Sequence, residues 1–186
     1  MSSEVSAWEI GMRPRHKASH YSLWLMPRGE VRQRLAGTIL NLSRQYAAPA
    51  FEPHVTLAGG IVGPAREVAA KMADLARRIP PFTIRLTEVD FLDEYFRCLF
   101  VRVAPTQPVM KANQVARAVF SLEKQPAFMP HLSLLYAHLP SGVKQGIAAS
   151  LGRRFELEFK VCDLHLYLIE REVAAWWRTA RCGLRL

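Results

Sequence analysis

Cysteine is scarce in this 186-residue sequence, and long apolar runs are absent. The three cysteines, Cys98, Cys162 and Cys182, include no CxxC pair, which argues against a zinc knuckle, and their odd number argues against a secreted disulfide framework. No stretch approaches the roughly 18 consecutive apolar residues of a membrane-spanning helix. The first residues also lack the apolar segment of a secretory signal. We therefore expect a cytoplasmic protein with no membrane contact.

Several common catalytic motifs are also missing. The sequence has no HExxH, P-loop, GxGxxG or G-x-S-x-G motif, so zincin, NTPase, dinucleotide-binding and α/β-hydrolase functions have no support. Hydrophobic residues make up 50% of the chain and charged residues 22%, which excludes a wholly disordered protein. The sequence thus predicts a folded protein of another functional class.

Acidic residues are outnumbered by basic ones. The chain has 25 Lys and Arg against 16 Asp and Glu, a formal net charge of +9. Such a charge favours anionic partners such as phosphates or nucleic acid. The basic residues are scattered along the chain, however, and a solvated surface is the simpler interpretation. Charge alone does not identify the ligand.

Apolar periodicity predicts one domain over residues 20–186, after a flexible polar tail formed by residues 1–19. Strand pairs alternate with helices without regular βαβ repeats, which favours the α+β class. The pair Gly59-Gly60 should end the second strand, and Asp93-Glu94 should form a hairpin turn. The expected strands cover residues 20–26, 53–57, 82–91, 95–103, 132–136, 155–169 and 176–186, and the expected helices cover residues 29–47, 68–79, 112–122 and 140–151.

One seven-residue pattern occurs twice. Residues 51–57 read FEPHVTL and residues 128–134 read FMPHLSL, so both fit F-x-P-H-φ-[T/S]-L, where φ is apolar. Each copy precedes a helix-like segment. A single H-x-[T/S] would usually be ordinary structure, but its duplication with matching flanks favours a shared role.

Strand alternation places the polar residues of each copy on one face. In the first copy, His54 and Thr56 lie two residues apart and point together, while Val55 and Leu57 point into the core. The second copy repeats this arrangement with His131 and Ser133 on one face and Leu132 and Leu134 behind them. If the two halves pack with approximate two-fold symmetry, two imidazoles and two hydroxyls face each other across a groove.

Such a groove suits an anionic phosphodiester. One imidazole can take a proton from water while the other gives a proton to the departing oxygen, and each role typically supplies about 10²–10⁴ in rate. Hydroxyls can donate hydrogen bonds to the non-bridging oxygens, and losing such a donor typically costs about 10²–10³. This chemistry needs no metal and no cofactor.

At these residues the chain resembles the 2H phosphoesterase superfamily, which is named for its two H-x-[T/S]-φ motifs. The similarity points to the cyclic phosphodiesterase branch and extends over about residues 20–170. The segments that carry it are residues 20–27, 51–54, 95–98 and 128–136.

The resemblance implies a bilobal, pseudo-two-fold fold in which two antiparallel sheets flanked by helices surround a central cleft. It also implies metal-independent hydrolysis of ADP-ribose 1″,2″-cyclic phosphate to ADP-ribose 1″-phosphate, and of nucleoside 2′,3′-cyclic phosphates to 2′-phosphates. The expected partner is a small cyclic phosphate, with RNA ends as a further candidate. We expect a monomer.

The same resemblance assigns roles to individual residues. His131 is similar to the base that activates water and His54 to the acid that protonates the leaving oxygen, although a pseudo-symmetric pair can exchange these roles. Thr56 and Ser133 would hold the phosphate. Tyr136 would contact the rest of the substrate, with ordinary core packing as the alternative. Phe96 would approach the nucleobase, but Tyr95 and Phe96 point oppositely, and either of them could face the groove. The disulfides of the family do not transfer onto the three cysteines of this chain.

Two other functions stay open at this point. A related 2H enzyme could act on RNA ends or 2′,5′-linkages, as a phosphodiesterase or in a ligase-like reaction. The chain could also be a non-catalytic nucleotide- or RNA-binding module that uses its basic surface.

Other polar and aromatic residues have simpler interpretations. We expect Asp163, His165 and Tyr167 to form the exposed side of a strand. The pair Trp176-Trp177 is expected to pack, His138 to lie on the surface, and Cys98 to be a buried thiol.

Overall fold

The structure, a computed structural model, describes residues 19–152 and 154–185. The expected tail lies outside these residues except for Ser19, which begins the first strand. In the described residues the strands are β1 Ser19–Leu25, β2 Val55–Gly63, β3 Phe82–Asp90, β4 Leu99–Val103, β5 His131–Leu135, β6 Arg154–Val161, β7 Asp163–Leu168 and β8 Trp177–Gly183. The α-helices are α1 Gly29–Gln45, α2 Ala65–Ala76, α3 Gln107–Phe120 and α4 Ser141–Leu151.

All strand pairs are antiparallel, and the order across the sheet is β6-β3-β4-β5-β2-β1-β7-β8. The α+β class expected from the sequence is therefore confirmed. The two halves, β2-β1-β7-β8 and β5-β4-β3-β6, meet at a single pair, Val55 opposite Leu132. The two expected antiparallel sheets are thus joined into one curled sheet of eight strands.

The helices cover the face of the sheet that carries the apolar side chains of β2 and β5. Helix α1 packs on β5 and helix α3 on β2, so each long helix contacts the opposite half. Asn113 of α3 reinforces this contact, because its buried side-chain amide donates to the Leu57 carbonyl at 2.7 Å. Val55 and Leu132 are fully buried beneath these helices, which leaves the other face for the alternate residues of both strands.

The expectation that Gly59-Gly60 ends the second strand was wrong. Strand β2 continues to Gly63, and the glycines occupy an irregularity in its pairing with β1, where the register shifts. Gly60 has φ of +68°, and a Cβ there would lie 3.0 Å from the Gln125 side chain. A glycine bulge therefore bends the strand instead of terminating it.

The expected strand over residues 95–103 starts late. Tyr95–Arg97 forms a 3-10 helix, and the strand begins at Leu99. The loop before it is closed by a hydrogen bond from the Leu92 amide to the Arg97 carbonyl at 2.9 Å and by the buried Lys144 ammonium, which donates to the Leu92 carbonyl at 2.9 Å. Contacts with α4 thus override the β propensity of the aromatic residues.

The expectation that one side of β7 is exposed was also wrong. Asp163, His165 and Tyr167 are 9%, 7% and 8% exposed, because Trp24 on β1 and arginines from β8 and from the start of α1 cover this face. His138 is exposed and Cys98 is buried, as expected, and the three cysteines are unbonded. No helix in the described part of the chain has the length and apolar character to cross a membrane.

Candidate active site

The register of the central strands brings both repeat copies onto one surface. Because Val55 lies opposite Leu132 in an antiparallel pair, the next positions place His54 across from Ser133 and Thr56 across from His131. Each imidazole therefore neighbours the hydroxyl of the other copy. The two histidines are diagonal neighbours, a relation that corresponds to about 7–8 Å between backbones.

Both imidazoles are held by the same local hydrogen bond. Nδ1 of His54 lies 2.6 Å from the Glu52 carbonyl, and Nδ1 of His131 lies 2.8 Å from the Met129 carbonyl. Since a carbonyl oxygen only accepts, Nδ1 carries the proton in each ring and donates it. Each Nε2 is left with a lone pair for proton transfer in the neutral state.

The two rings differ in burial. His54 is 5% exposed, whereas His131 is partly exposed. Burial lowers the pKa of His54 to about 4, against the opposing hydrogen bond to the Glu52 carbonyl and with a smaller contribution from the charge of His131. Burial also lowers the pKa of His131, with Arg97 and Arg102 adding to the effect. Both rings are neutral in the free protein at neutral pH.

Trp24 accounts for much of the enclosure of His54. Its indole is stacked on the imidazole with centroids 3.5 Å apart, and its other face is stacked on Tyr167 at 3.7 Å. No sequence motif assigned a role to Trp24. Strand alternation alone could not find it, because its contact depends on β1 lying between β2 and β7.

The two hydroxyls have different hydrogen-bond environments. Thr56 is partly exposed, and its side chain makes no hydrogen bond within residues 19–152 and 154–185. Ser133 donates to the Phe96 carbonyl at 2.9 Å. Thr56 is thus free to bind a ligand, whereas Ser133 must rotate to donate to one.

An aromatic wall lies beside His54 and Ser133; it consists of Trp24, Phe51, Phe96, Tyr136 and Trp176. Tyr136 is 4% exposed and stacks on Phe51 at 3.8 Å. Burial raises the pKa of Tyr136, so its hydroxyl stays protonated. Phe96 is 52% exposed at the rim and contacts Tyr136 at 5.2 Å. The structure therefore places both sequence candidates next to the histidine face.

Trp176 was missed as a member of this region. Its ring lies 5.9 Å from Trp24, 5.9 Å from Phe96 and 6.0 Å from Tyr136, and its Nε1 donates to the Glu170 carbonyl at 2.8 Å. The expected packing of Trp176 is confirmed, but it occurs at the rim of the candidate site. The expected packing of Trp177 was wrong, because this residue of β8 is 36% exposed. No sequence pattern links Trp176 to the distant positions of Trp24 and Phe96.

Within the described residues, no group of three or more His, Cys, Asp or Glu side chains is arranged to hold a metal ion. The polar groups on the shared face include two imidazoles, two aliphatic hydroxyls and one phenol, and the charges of Arg97, Arg102 and Glu94 act on His131. Such a set can transfer protons and donate hydrogen bonds to an anion.

Comparisons with known proteins agree on one family. A profile of the 2′-5′ RNA ligase superfamily matches residues 28–173. A cyclic phosphodiesterase of Arabidopsis thaliana is 28% identical over 175 residues, which cover 90% of this chain and 97% of the plant protein. A 2′,3′-cyclic-nucleotide 3′-phosphodiesterase of Yarrowia lipolytica is 27% identical over 144 residues, which cover 72% of this chain and 64% of that protein.

Solved structures show the same fold. Escherichia coli LigT complexed with 3′-AMP superposes with a TM-score of 0.65 at 18% identity and covers 91% of this chain and 100% of LigT. The protein TT0787 of Thermus thermophilus gives a TM-score of 0.64 at 19% identity, with 89% and 98% covered. With the matched profile spanning most of its length, the chain belongs to the 2′-5′ RNA ligase superfamily, the 2H phosphoesterases, and has their fold.

Proposed function

We propose that the protein hydrolyses small cyclic phosphodiesters by acid and base catalysis with His54 and His131. The substrates in this proposal are ADP-ribose 1″,2″-cyclic phosphate and nucleoside 2′,3′-cyclic phosphates, opened to the 1″-phosphate and the 2′-phosphates. The observation that carries the proposal is the register of β2 and β5, which sets two imidazoles and two hydroxyls on one face. The names of the Arabidopsis and Yarrowia relatives support the same class of reaction.

In the proposed reaction with a 2′,3′-cyclic phosphate, water attacks phosphorus and the bond to the 3′-oxygen breaks. The Nε2 atom of one histidine accepts the water proton, and the other histidine donates a proton to the 3′-oxygen. Thr56 donates a hydrogen bond to a non-bridging oxygen, and Ser133 does so after leaving the Phe96 carbonyl. Exchange of protons with solvent restores both rings.

We assign His131 as the base and His54 as the acid. His131 is partly exposed, so water from the cleft can reach it, whereas Trp24 shields His54 from bulk water. A bound phosphate anion raises the pKa of an imidazole most strongly where the surroundings are least polar. Substrate binding therefore protonates the enclosed His54, which the free protein keeps neutral.

The test is turnover of both substrate types by the purified protein in excess chelator. We expect His54→Ala and His131→Ala each to lower kcat by at least about 10². The exposed His138→Ala is the matched control and should retain full activity. Turnover undiminished in either active-site variant would remove that histidine from the mechanism, and a folded wild type inactive on both substrates would contradict the proposal.

A further inference from the structure

Outside the candidate active site, a basic depression lies beyond Trp24, on the same face of the sheet as His54. Its volume is about 710 Å³. Five of its lining residues define what we call the arginine groove: Arg28, His165, Tyr167, Arg178 and Arg181. The groove is separated from His54 by Trp24, which is stacked on His54 on one side and on Tyr167 on the other.

Ion pairs leave the groove with uncompensated positive charge. Arg32, at its border, is neutralised by Glu52 through guanidinium hydrogen bonds of 2.8 to 3.2 Å. Arg28 and Arg181 share one carboxylate, that of the buried Asp163. Arg178 pairs with no carboxylate in the part of the chain that the structure describes. Four guanidinium groups therefore face two carboxylates, an imbalance that favours an anion.

His165 adds a second and independent indication of a ligand. The residue is 7% exposed, and its Nδ1 is enclosed without a hydrogen-bond partner. No hydrogen bond to its Nε2 occurs among the described residues either, and the ring lines the groove. Since Nδ1 is the enclosed nitrogen, Nε2 is the one that meets the groove.

The tautomer of His165 follows from this enclosure. A buried N–H without an acceptor is rarer than a buried lone pair without a donor, so the proton belongs on Nε2. Burial, with the charges of Arg178, Arg181 and Arg28 adding to its effect, lowers the pKa of His165 to about 4, and the ring is neutral. The groove thus presents one neutral N–H, the Tyr167 hydroxyl and guanidinium groups, all of them donors.

We propose that the arginine groove binds a phosphate group, held by Arg178, by the pair Arg28 and Arg181, and by Nε2 of His165. Guanidinium groups recognise phosphate oxygens with charge-assisted hydrogen bonds. If the proposed function holds, a second phosphate of the substrate reaches the groove. Trp24 lies between His54 and Tyr167, and its ring centroid is 3.5 Å from that of His54 and 3.7 Å from that of Tyr167. One sugar-phosphate unit spans this separation. The preferred substrate is then a cyclic nucleotide that carries another phosphate.

A binding experiment tests the groove without any turnover. Inorganic phosphate is titrated into the full-length protein while the imidazole ¹⁵N resonances are followed by NMR, so that His165 reports the groove and His131 the cleft. We expect a saturable shift of His165 Nε2. Arg178→Gln should weaken this response about tenfold or more, because a hydrogen bond to a charged group is lost. The matched control is Arg154→Gln, which removes an exposed arginine from β6 at the far edge of the sheet.

A kinetic experiment then identifies the source of the phosphate. The KM of adenosine 2′,3′-cyclic phosphate is compared with that of the same nucleotide carrying a 5′-phosphate. A KM at least about tenfold lower for the phosphorylated form, with the ratio reduced towards one in Arg178→Gln and kept in Arg154→Gln, supports binding of a substrate phosphate. Equal KM values with an intact His165 response support binding of a separate phosphate.

The proposal is overturned if inorganic phosphate leaves the His165 resonance unchanged, or if Arg178→Gln and wild type give the same titration. Absence of hydrolysis with an intact His165 response would instead contradict the proposed function and leave the groove supported. The two failures are therefore distinguishable.

Discussion

The indole of Trp24 lies face to face with the imidazole of His54, with ring centroids 3.5 Å apart and planes 8° from parallel. On the other side of the pseudo-two-fold axis, Phe100 meets His131 at 5.2 Å with an interplanar angle of 64°. The two repeat copies are therefore alike in sequence but not in surroundings. This difference gives one histidine an apolar cover and leaves the other open to the cleft.

The first prediction concerns the pH dependence of kcat/KM. The reaction needs one histidine protonated and one neutral, a state most populated between the two macroscopic pKa values of the pair. Because burial lowers the pKa of both His54 and His131 in the free protein, the optimum should lie below pH 6.5.

Removing the indole should move this profile. In Trp24→Leu, water reaches His54, its pKa rises, and the optimum shifts upward. The matched control is Trp177→Leu, which changes an exposed tryptophan on β8 and should leave the profile in place. A profile in Trp24→Leu that coincides with wild type would contradict the role of Trp24 in lowering the pKa of His54.

The second prediction concerns stability at low pH. His54 has a pKa of about 4 in the folded protein against an ordinary value of 6.5, so the unfolded chain binds more protons in this range. Its contribution to stability is therefore complete above about pH 6.5 and is lost as the pH falls towards 4. The loss attributable to His54 is about 2 to 3 kcal/mol.

Urea unfolding at pH 7.5 and 4.5 checks this value. His54→Asn should lose less stability between the two pH values than wild type, whereas His138→Asn, which changes an exposed histidine, should lose as much as wild type. If His54→Asn lost as much stability as wild type between pH 7.5 and 4.5, the buried neutral imidazole of His54 would not be the source of that loss.

Much of the candidate site could be predicted from the sequence, because side chains alternate between the two faces of a strand and because the seven-residue pattern occurs twice. Alternation along β2 and β5 fixed which residues of each copy share a face, and it was correct for His54, Val55, Leu132 and Ser133. The 3-10 turn at Phe96 could not be predicted, because Lys144, about fifty residues later in the chain, shapes the preceding loop. The contacts of Trp24, Trp176 and His165 depend on the order of strands across the sheet, which one sequence does not encode locally.

The third prediction separates the roles of the two histidines. A general acid is dispensable when the leaving group needs no proton, whereas the base that activates water is needed for any leaving group. With a 3′-deoxynucleoside 2′-(4-nitrophenyl phosphate), 4-nitrophenolate takes the place of the 3′-oxygen as leaving group and no neighbouring hydroxyl can attack. His54→Ala should therefore lose much less kcat on this substrate than with a 2′,3′-cyclic phosphate. His131→Ala should lose about 10² or more on both. The reverse pattern would exchange the acid and the base.

The fourth prediction concerns Lys144, which is 2% exposed and lies in α4. Its ammonium donates to the Leu92 carbonyl at 2.9 Å and to Asp93 at 3.2 Å, and so fixes the loop that leads to Phe96. The Phe96 carbonyl in turn accepts the Ser133 hydroxyl. Lys144 should therefore act as a positioning residue for the cleft, without contacting the substrate.

Lys144→Met keeps most of the side-chain volume and removes the donors, so it should lower the free energy of unfolding by about 1–3 kcal/mol in urea titrations. It should also raise KM for a 2′,3′-cyclic nucleotide more than it lowers kcat, because the histidines on β2 and β5 keep their own hydrogen bonds. Lys111→Met, which changes an exposed lysine on α3, controls for loss of one charge. A loss of stability with unchanged KM would show that the Lys144 contacts stabilise the fold without positioning Phe96.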